Sequence, residues 1–319
     1  MLAVLIILVA SIVAYANGAN ANFKGVASLF GSGTTSYRTA LNWGNLTTAA
    51  GAVSAIFLAG HLLKAFSGKG LVEDSLISDP SFLLAVAIGA AATGSLATCL
   101  GFPVSSTHAH TGGLVGAGMV ASPGGVNLVH LWSTFAMPLI FGPVVAILLG
   151  TLFYLLLRRL NLAPDHRTRT LDALHFLSAG AVGFARGMND TPKIAALLVG
   201  VSFWTGEKGI LLVAVAMTFG GLISARRVAE TLSHKITDMN PGQGFTANLT
   251  TSLLVIAGSV YGLPLSTTHV SVGSLLGIGI ITQQARWRTV IPILMAWVIT
   301  VPCAAVLAAL AYAVCRTAF

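Results

Sequence analysis

Charge is scarce in this sequence: 8% of its 319 residues are Asp, Glu, Lys or Arg, while 55% are hydrophobic. A soluble protein gives about a quarter of its positions to charge, so a soluble globular domain is excluded. Cysteine is scarce as well. Cys99, Cys303 and Cys315 lie in or at the ends of apolar stretches, with neither paired nor metal-ligand spacing, and read as small apolar packing residues. Gly-x-Ser-x-Gly and His-Glu-x-x-His are absent, which counts against an intramembrane enzyme. The first apolar run has no basic residues ahead of it and passes into a polar motif, so it reads as a retained membrane span and not a secretory signal.

What the chain has in quantity is apolar length. Residues 1–16, 82–100, 131–157, 209–225, 246–261 and 290–315 approach or exceed the ~20 residues that cross about 30 Å of hydrocarbon as a helix. The chain is therefore an all-α polytopic membrane protein. Its basic residues, which give a formal charge of +8, sit mostly in short loops: Arg38; Arg158, Arg159, Arg167 and Arg169; Arg226, Arg227 and Lys235; Arg286 and Arg288. Cytoplasmic loops collect Lys and Arg, so this distribution reports membrane orientation and not nucleic-acid binding.

Two motifs occur twice, in the same order. "GANANFK" at 18–24 returns as "GMNDTPK" at 187–193, and "GFPVSSTHAHTGGLVGAGM" at 101–119 returns as "GLPLSTTHVSVGSLLGIGI" at 262–280. The chain is thus a duplication, with a first repeat over 1–157, a connecting loop over 158–171 and a second repeat over 172–319. Five spans are expected in the first half: 1–35 as one broken crossing, 42–66, 82–100, 104–121 and 131–157. Five more are expected in the second: 172–204, again broken, then 209–225, 246–261, 266–282 and 290–315. An odd count inverts one half against the other. With both termini outside, the ten basic residues named above fall inside, against Lys69, Lys208 and Arg316 outside. Inverted-topology repeats with broken helices are the architecture of many secondary transporters, whose substrate site lies near the midplane.

In hydrocarbon, unwound backbone survives only where protein or a wet cavity covers it, so Gly18 and Gly187 are expected to break their helices at a buried site. Asn20 and Asn189 offer an amide carbonyl to a cation or N–H donors to an oxyanion. Asp190 can neutralise a cation or carry a proton, and the cost of a carboxylate inside a membrane marks it as functional. Lys24 and Lys193, about one turn further on, favour an anion. Pro103 and Pro264 are expected to end one helix and begin the next. Ser105, Ser106 and Thr107, with Ser266, Thr267 and Thr268, then stand at helix N-termini, where free N–H groups and hydroxyls suit a small tetrahedral oxyanion. The competing role for these residues is plain N-capping. His108 and His110, at i and i+2, point to different sides of a helix; together with His269 they are a weak metal candidate beside packed histidines.

These motifs resemble the inorganic phosphate transporter (PiT) family of secondary carriers, which is marked by a repeated Gly-x-Asn-Asp motif and a Pro-x-Ser-[ST]-Thr-His hairpin. "GANA" at 18–21, "GMND" at 187–190, "PVSSTH" at 103–108 and "PLSTTH" at 264–269 carry the resemblance, and "RRVAETLSHKITDMNPGQGFTANLTT" at 226–251 is similar to the family's loop into the following helix. The resemblance implies re-entrant hairpins and 10–12 membrane segments. It implies a secondary carrier for inorganic phosphate in the cell (inner) membrane, coupled to sodium or protons, with no other cofactor. It implies hydroxyls at 105–107 and 266–268 on the phosphate, and a sodium or proton site at Asn20, Asn189 and Asp190. Ala21 stands where the family pattern has Asp, through a lost coupling carboxylate or an introduced change. Restoring an acid at 21 is expected to raise cation-driven uptake, and Asp190→Asn to abolish coupling while leaving the fold intact. A sulfate permease is the alternative substrate reading, an anion channel or an intramembrane enzyme the alternative classes, and a homodimer the assembly to test.

Overall fold

The computed structural model describes residues 1–122, 124–164, 166–234 and 239–318; Lys235 lies outside them. The first half holds α1 (Leu2–Ala21), α2 (Ala27–Gly31), α3 (Tyr37–Leu58), α4 (Gly60–Phe66), α5 (Pro80–Leu100), α6 (Ser106–Ala121), α7 (Leu128–His130) and α8 (Met137–Arg159), the last two joined by a π-helical stretch. The second holds α9 (Arg169–Ala195), α10 (Glu207–Ser224), α11 (Arg226–His234), α12 (Pro241–Val260), α13 (Thr267–Ile281) and α14 (Trp287–Ala318).

Local chemistry sets the boundaries. Ser36 caps α3, Asp79 followed by Pro80 opens α5, and an Asn240–Gln243 capping box with Pro241 opens α12. α5 ends at Gly101 in the left-handed region (φ 75°), and Gly262 (φ 71°) closes the turn after α12. The glycines, and not Pro103 and Pro264, therefore end these helices. The prolines fall two residues later, in short extended segments that lead to α6 and α13.

Among the described residues five helices are long and apolar enough to cross a membrane, six with the bent pair α3–α4, which turns by 87°. The ten crossings expected from sequence exceed this for physical reasons. α6 and α13, at 16 and 15 residues, are short return arms of the hairpins α5–α6 and α12–α13. α9 is long enough but carries Arg186, Asp190 and Lys193, and α12 begins with a polar half.

Gly18 and Gly187 do not break their helices. Both lie within continuous α-helix, and the first-half interruption falls later, over residues 22–26. These glycines mark crossings. A Cβ on Gly18 would collide with the Met217 carbonyl of α10, and one on Gly220 of α10 with the Tyr15 carbonyl of α1. Likewise Gly187 of α9 abuts the Thr48 carbonyl of α3, and Gly51 of α3 abuts the Phe184 carbonyl of α9. Small residues that let backbones touch are how helices associate in lipid, where apolar burial gives no advantage.

The other large interfaces pair in the same way: α6 with α14 and α13 with α8, α1 with α5 and α9 with α12, α5 with α14 and α12 with α8. Loops gather at two ends. Arg167 donates to the Gly33 and Thr34 carbonyls, Arg226 lies over the Tyr37 ring, and Arg286 donates to the His234 carbonyl. At the far ends of these helices, the Asn127 N–H donates to the Leu71 carbonyl and the Ser122 hydroxyl to Glu73.

Substituting Gly51→Ala should part α3 from α9 and cost about 1–3 kcal/mol, the usual cost of overpacking. Gly60→Ala, at a position with nothing within 4 Å of an added Cβ, should leave stability unchanged. Thermal unfolding of the two variants in one detergent compares them directly.

Candidate functional site

The two hairpin tips meet each other. The Thr107 hydroxyl donates to the Leu265 carbonyl at 3.1 Å, and the Thr268 hydroxyl to the Val104 carbonyl at 2.8 Å. Each tip thus bonds the other through the same two positions. Onto this crossing come the two lysines. Lys24 Nζ donates to the Val104 carbonyl (2.8 Å) and the Thr268 hydroxyl (2.6 Å). Lys193 Nζ donates to the Leu265 carbonyl (3.0 Å), the Thr107 hydroxyl (2.7 Å) and Asp190 Oδ1 (3.3 Å). Lys24 sits in the turns after α1 and Lys193 within α9, yet both hold a tip carbonyl and a threonine hydroxyl, to which Lys193 adds Asp190.

The asparagines hold the tips. Asn20 donates to the Phe102 carbonyl (2.9 Å) and Thr98 (3.1 Å) and accepts from the Val104 N–H (3.1 Å). Asn189 donates to the Leu265 carbonyl (3.1 Å) and accepts from the Ser259 hydroxyl (3.2 Å). Ser105 and Ser266 are N-caps, accepting from the His108 and His269 N–H groups, so the capping role describes these two. Ser106 follows at the start of α6, partly open, and Thr267 is buried at the start of α13. Ala21 is buried beside a cavity of about 20 Å³, lined also by Asn17, Asn20, Lys24, Ser106 and His110. That is room for about one water. The structure therefore joins Asn20, Lys24, Thr107, Asn189, Asp190, Lys193 and Thr268 through one set of contacts around the hairpin tips.

Sequence reasoning missed Arg186, which is fully buried. Its guanidinium donates to the side chains of Asn17 and Asn22 on the first half and lies 3.4 Å from Asp190 Oδ2. The available signal was an arginine four residues before Asp190 in a helix lined with small and apolar residues. Asp190 is the one buried acid among the described residues, against Lys24, Arg186 and Lys193. Its oxygens face four donors: Asn17 and Arg186 on Oδ2, Asn189 and Lys193 on Oδ1. The oxygens assigned from sequence to sodium, on Asn20, Asn189 and Asp190, are thus all engaged by the protein's own donors in this conformation.

The histidines lie alongside. His108 and His269 face each other at 4.4 Å between ring centroids, and His269 stacks on Trp297 at 3.7 Å. His110 Nδ1 is 2.8 Å from the Ser106 carbonyl. Among the described residues no three His, Cys, Asp or Glu side chains are grouped to hold a metal ion.

Asp190→Asn keeps volume but leaves three buried cations without their acid. Breaking a buried ion pair by removing one partner costs about 3–5 kcal/mol. Against the expectation of an intact fold, thermal unfolding of this variant should show a large loss of stability.

Residues 17–308 match the model of the Phosphate transporter family. A Rhizobium meliloti protein described as a "Probable low-affinity inorganic phosphate transporter" is 30% identical over 276 residues, 82% of this chain and 81% of the relative. A Bacillus subtilis protein of the same description is 28% identical, over 79% and 80%. A solved structure titled "The sodium-dependent phosphate transporter" superposes over all of both chains with a TM-score of 0.89 at 22% identity.

Proposed function

The chain belongs to the phosphate transporter family, and from that premise we propose that it is a secondary carrier taking up inorganic phosphate across the cell membrane. The observation that carries the reading is the centre itself: three buried cations against one carboxylate, at the start of α6 and beside a cavity. Such a centre is two negative charges short of neutrality with its lysines protonated. The Ser106 and Thr107 N–H groups at the start of α6, beside the His108 N–H that Ser105 caps, and the Ser106 hydroxyl supply donors that suit phosphate oxygens. Asn20, Lys24, Asn189, Lys193 and the hydroxyls of 105–107 and 266–268 form the binding site in this proposal, which requires the tips to separate.

The proposal includes the inverted repeat, with halves 1–157 and 172–319. Its support is the reciprocal pairing of helix interfaces, in which exchanging the halves maps each named pair onto its mate. The loops carrying Arg167, Arg226 and Arg286 share one end, which supports a cytoplasmic assignment for that end and external termini. Sodium dependence is stated of the structural neighbour; the coupled ion of this chain is sodium or a proton.

Two measurements test the substrate. Uptake of labelled phosphate into proteoliposomes should be abolished by unlabelled phosphate and spared by a tenfold excess of sulfate; equal competition would make the chain a general oxyanion carrier. Ser106→Ala should weaken phosphate binding about tenfold, at the lower end of what a hydrogen bond to a charged group contributes, as read by calorimetric titration.

A further inference from the structure

We propose that Lys24 and Lys193 are tethered cations that fill the places of coupling cations, so that this chain binds its oxyanion without sodium. The inference rests on the phosphate reading above and goes beyond it. The hydrogen-bond acceptors of each ammonium are oxygens: a hairpin-tip carbonyl, a threonine hydroxyl from the opposite half and, for Lys193, a carboxylate, with the Phe66 ring centroid 5.6 Å from Lys193 Nζ. Carbonyls, hydroxyls and carboxylates are the ligands a hard cation takes. Here a covalently attached –NH3⁺ holds them, in both halves, at the same position of the repeat.

Charge points the same way. Arg186 adds a third fixed cation, bonded to Asn17 and Asn22 across the interface and paired with Asp190. With Asp190 the one buried acid among the described residues, the centre is already at +2 with lysines protonated. A bound sodium would raise that to +3, whereas an oxyanion lowers it. Ala21 fits this account: an acid there would face Lys24 across the cavity and compete with the substrate for its charge.

The test uses the purified full chain. Phosphate titrated by calorimetry should bind with the same affinity, within about threefold, in sodium chloride and in choline chloride. Proteoliposome uptake should likewise be indifferent to the cation. Binding at least tenfold tighter in sodium overturns the inference and leaves the phosphate reading standing; no phosphate binding in either salt overturns both. Lys24→Met and Lys193→Met should each weaken phosphate binding at least tenfold, and unchanged affinity in a folded variant counts against the tethered role. Ala21→Asp should weaken binding without creating sodium dependence, and a sodium-dependent gain in uptake would overturn the proposal.

A separate observation assigns a second role. The geometry points to His110 as the residue that selects phosphate over sulfate. Its Nδ1 faces the Ser106 carbonyl at 2.8 Å, and a carbonyl only accepts, so Nδ1 carries the hydrogen and the neutral ring leaves Nε2 an acceptor. Nε2 is buried, has no partner, and belongs to a residue lining the cavity with Lys24. Phosphate at neutral pH keeps a proton to donate to such an acceptor, and sulfate does not. His110→Gln retains an acceptor and should retain selectivity; His110→Leu should lower the phosphate-to-sulfate affinity ratio at least fivefold by calorimetric titration. An unchanged ratio in a folded His110→Leu protein overturns the assignment.

Discussion

Three fixed positive charges and one carboxylate share the interior of this molecule, away from lipid and water. Two like charges about 4 Å apart repel by roughly 4 kcal/mol at an effective dielectric of about 20, so such a group persists only if oxygens surround it. The hairpins supply them. A left-handed glycine ends α5 and another follows α12, a proline two residues on keeps the backbone extended, and the carbonyls of Val104 and Leu265 are thereby left without helical partners. Those carbonyls receive the lysines and the threonines of the opposite tip. The re-entrant geometry is what provides acceptors where the cations need them.

The glycine crossings serve the same end. α1 and α9 carry the polar motifs, and each is crossed at near-contact by a helix of the other half, α10 or α3. Backbones this close leave no channel for lipid or bulk water between them. Arg186 then reaches Asn17 and Asn22 across the gap between α9 and α1, so the two halves are joined by charge-assisted hydrogen bonds as well as by packing.

Much of this was legible in the sequence. The duplicated motifs proposed the two halves, and among the matched positions Asn20, Asn189, Thr107 and Thr268 do make contacts at the hairpin tips. Two things were not legible. A glycine within a polar motif reads equally as a helix break or as a close helix crossing, and only the partner helix decides; Gly18 and Gly187 fall to the second. Length and apolarity alone recognise fewer spans than the repeated motifs suggest, because polar residues interrupt a helix that is long enough, as in α9, and a hairpin arm is short. Arg186 was visible as a residue, but its partners Asn17 and Asn22 lie more than 160 positions away in sequence, and no local pattern joins them.

The two lysine shells differ in one respect that bears on how an anion enters. An ammonium has three N–H donors. Lys193 uses all three, on Leu265, Thr107 and Asp190, whereas Lys24 uses two, on Val104 and Thr268. An oxyanion can therefore take a hydrogen bond from Lys24 with the tip contacts intact, but takes one from Lys193 only by displacing a carbonyl, a hydroxyl or the carboxylate. The small cavity lies on the Lys24 side, beside Ala21 and His110. The acid of the second-half pattern that position 21 lacks thus leaves space next to the lysine with a donor to spare. Engagement of both lysines therefore costs Lys193 one of its contacts to Leu265, Thr107 or Asp190, whereas Lys24 keeps both of its own.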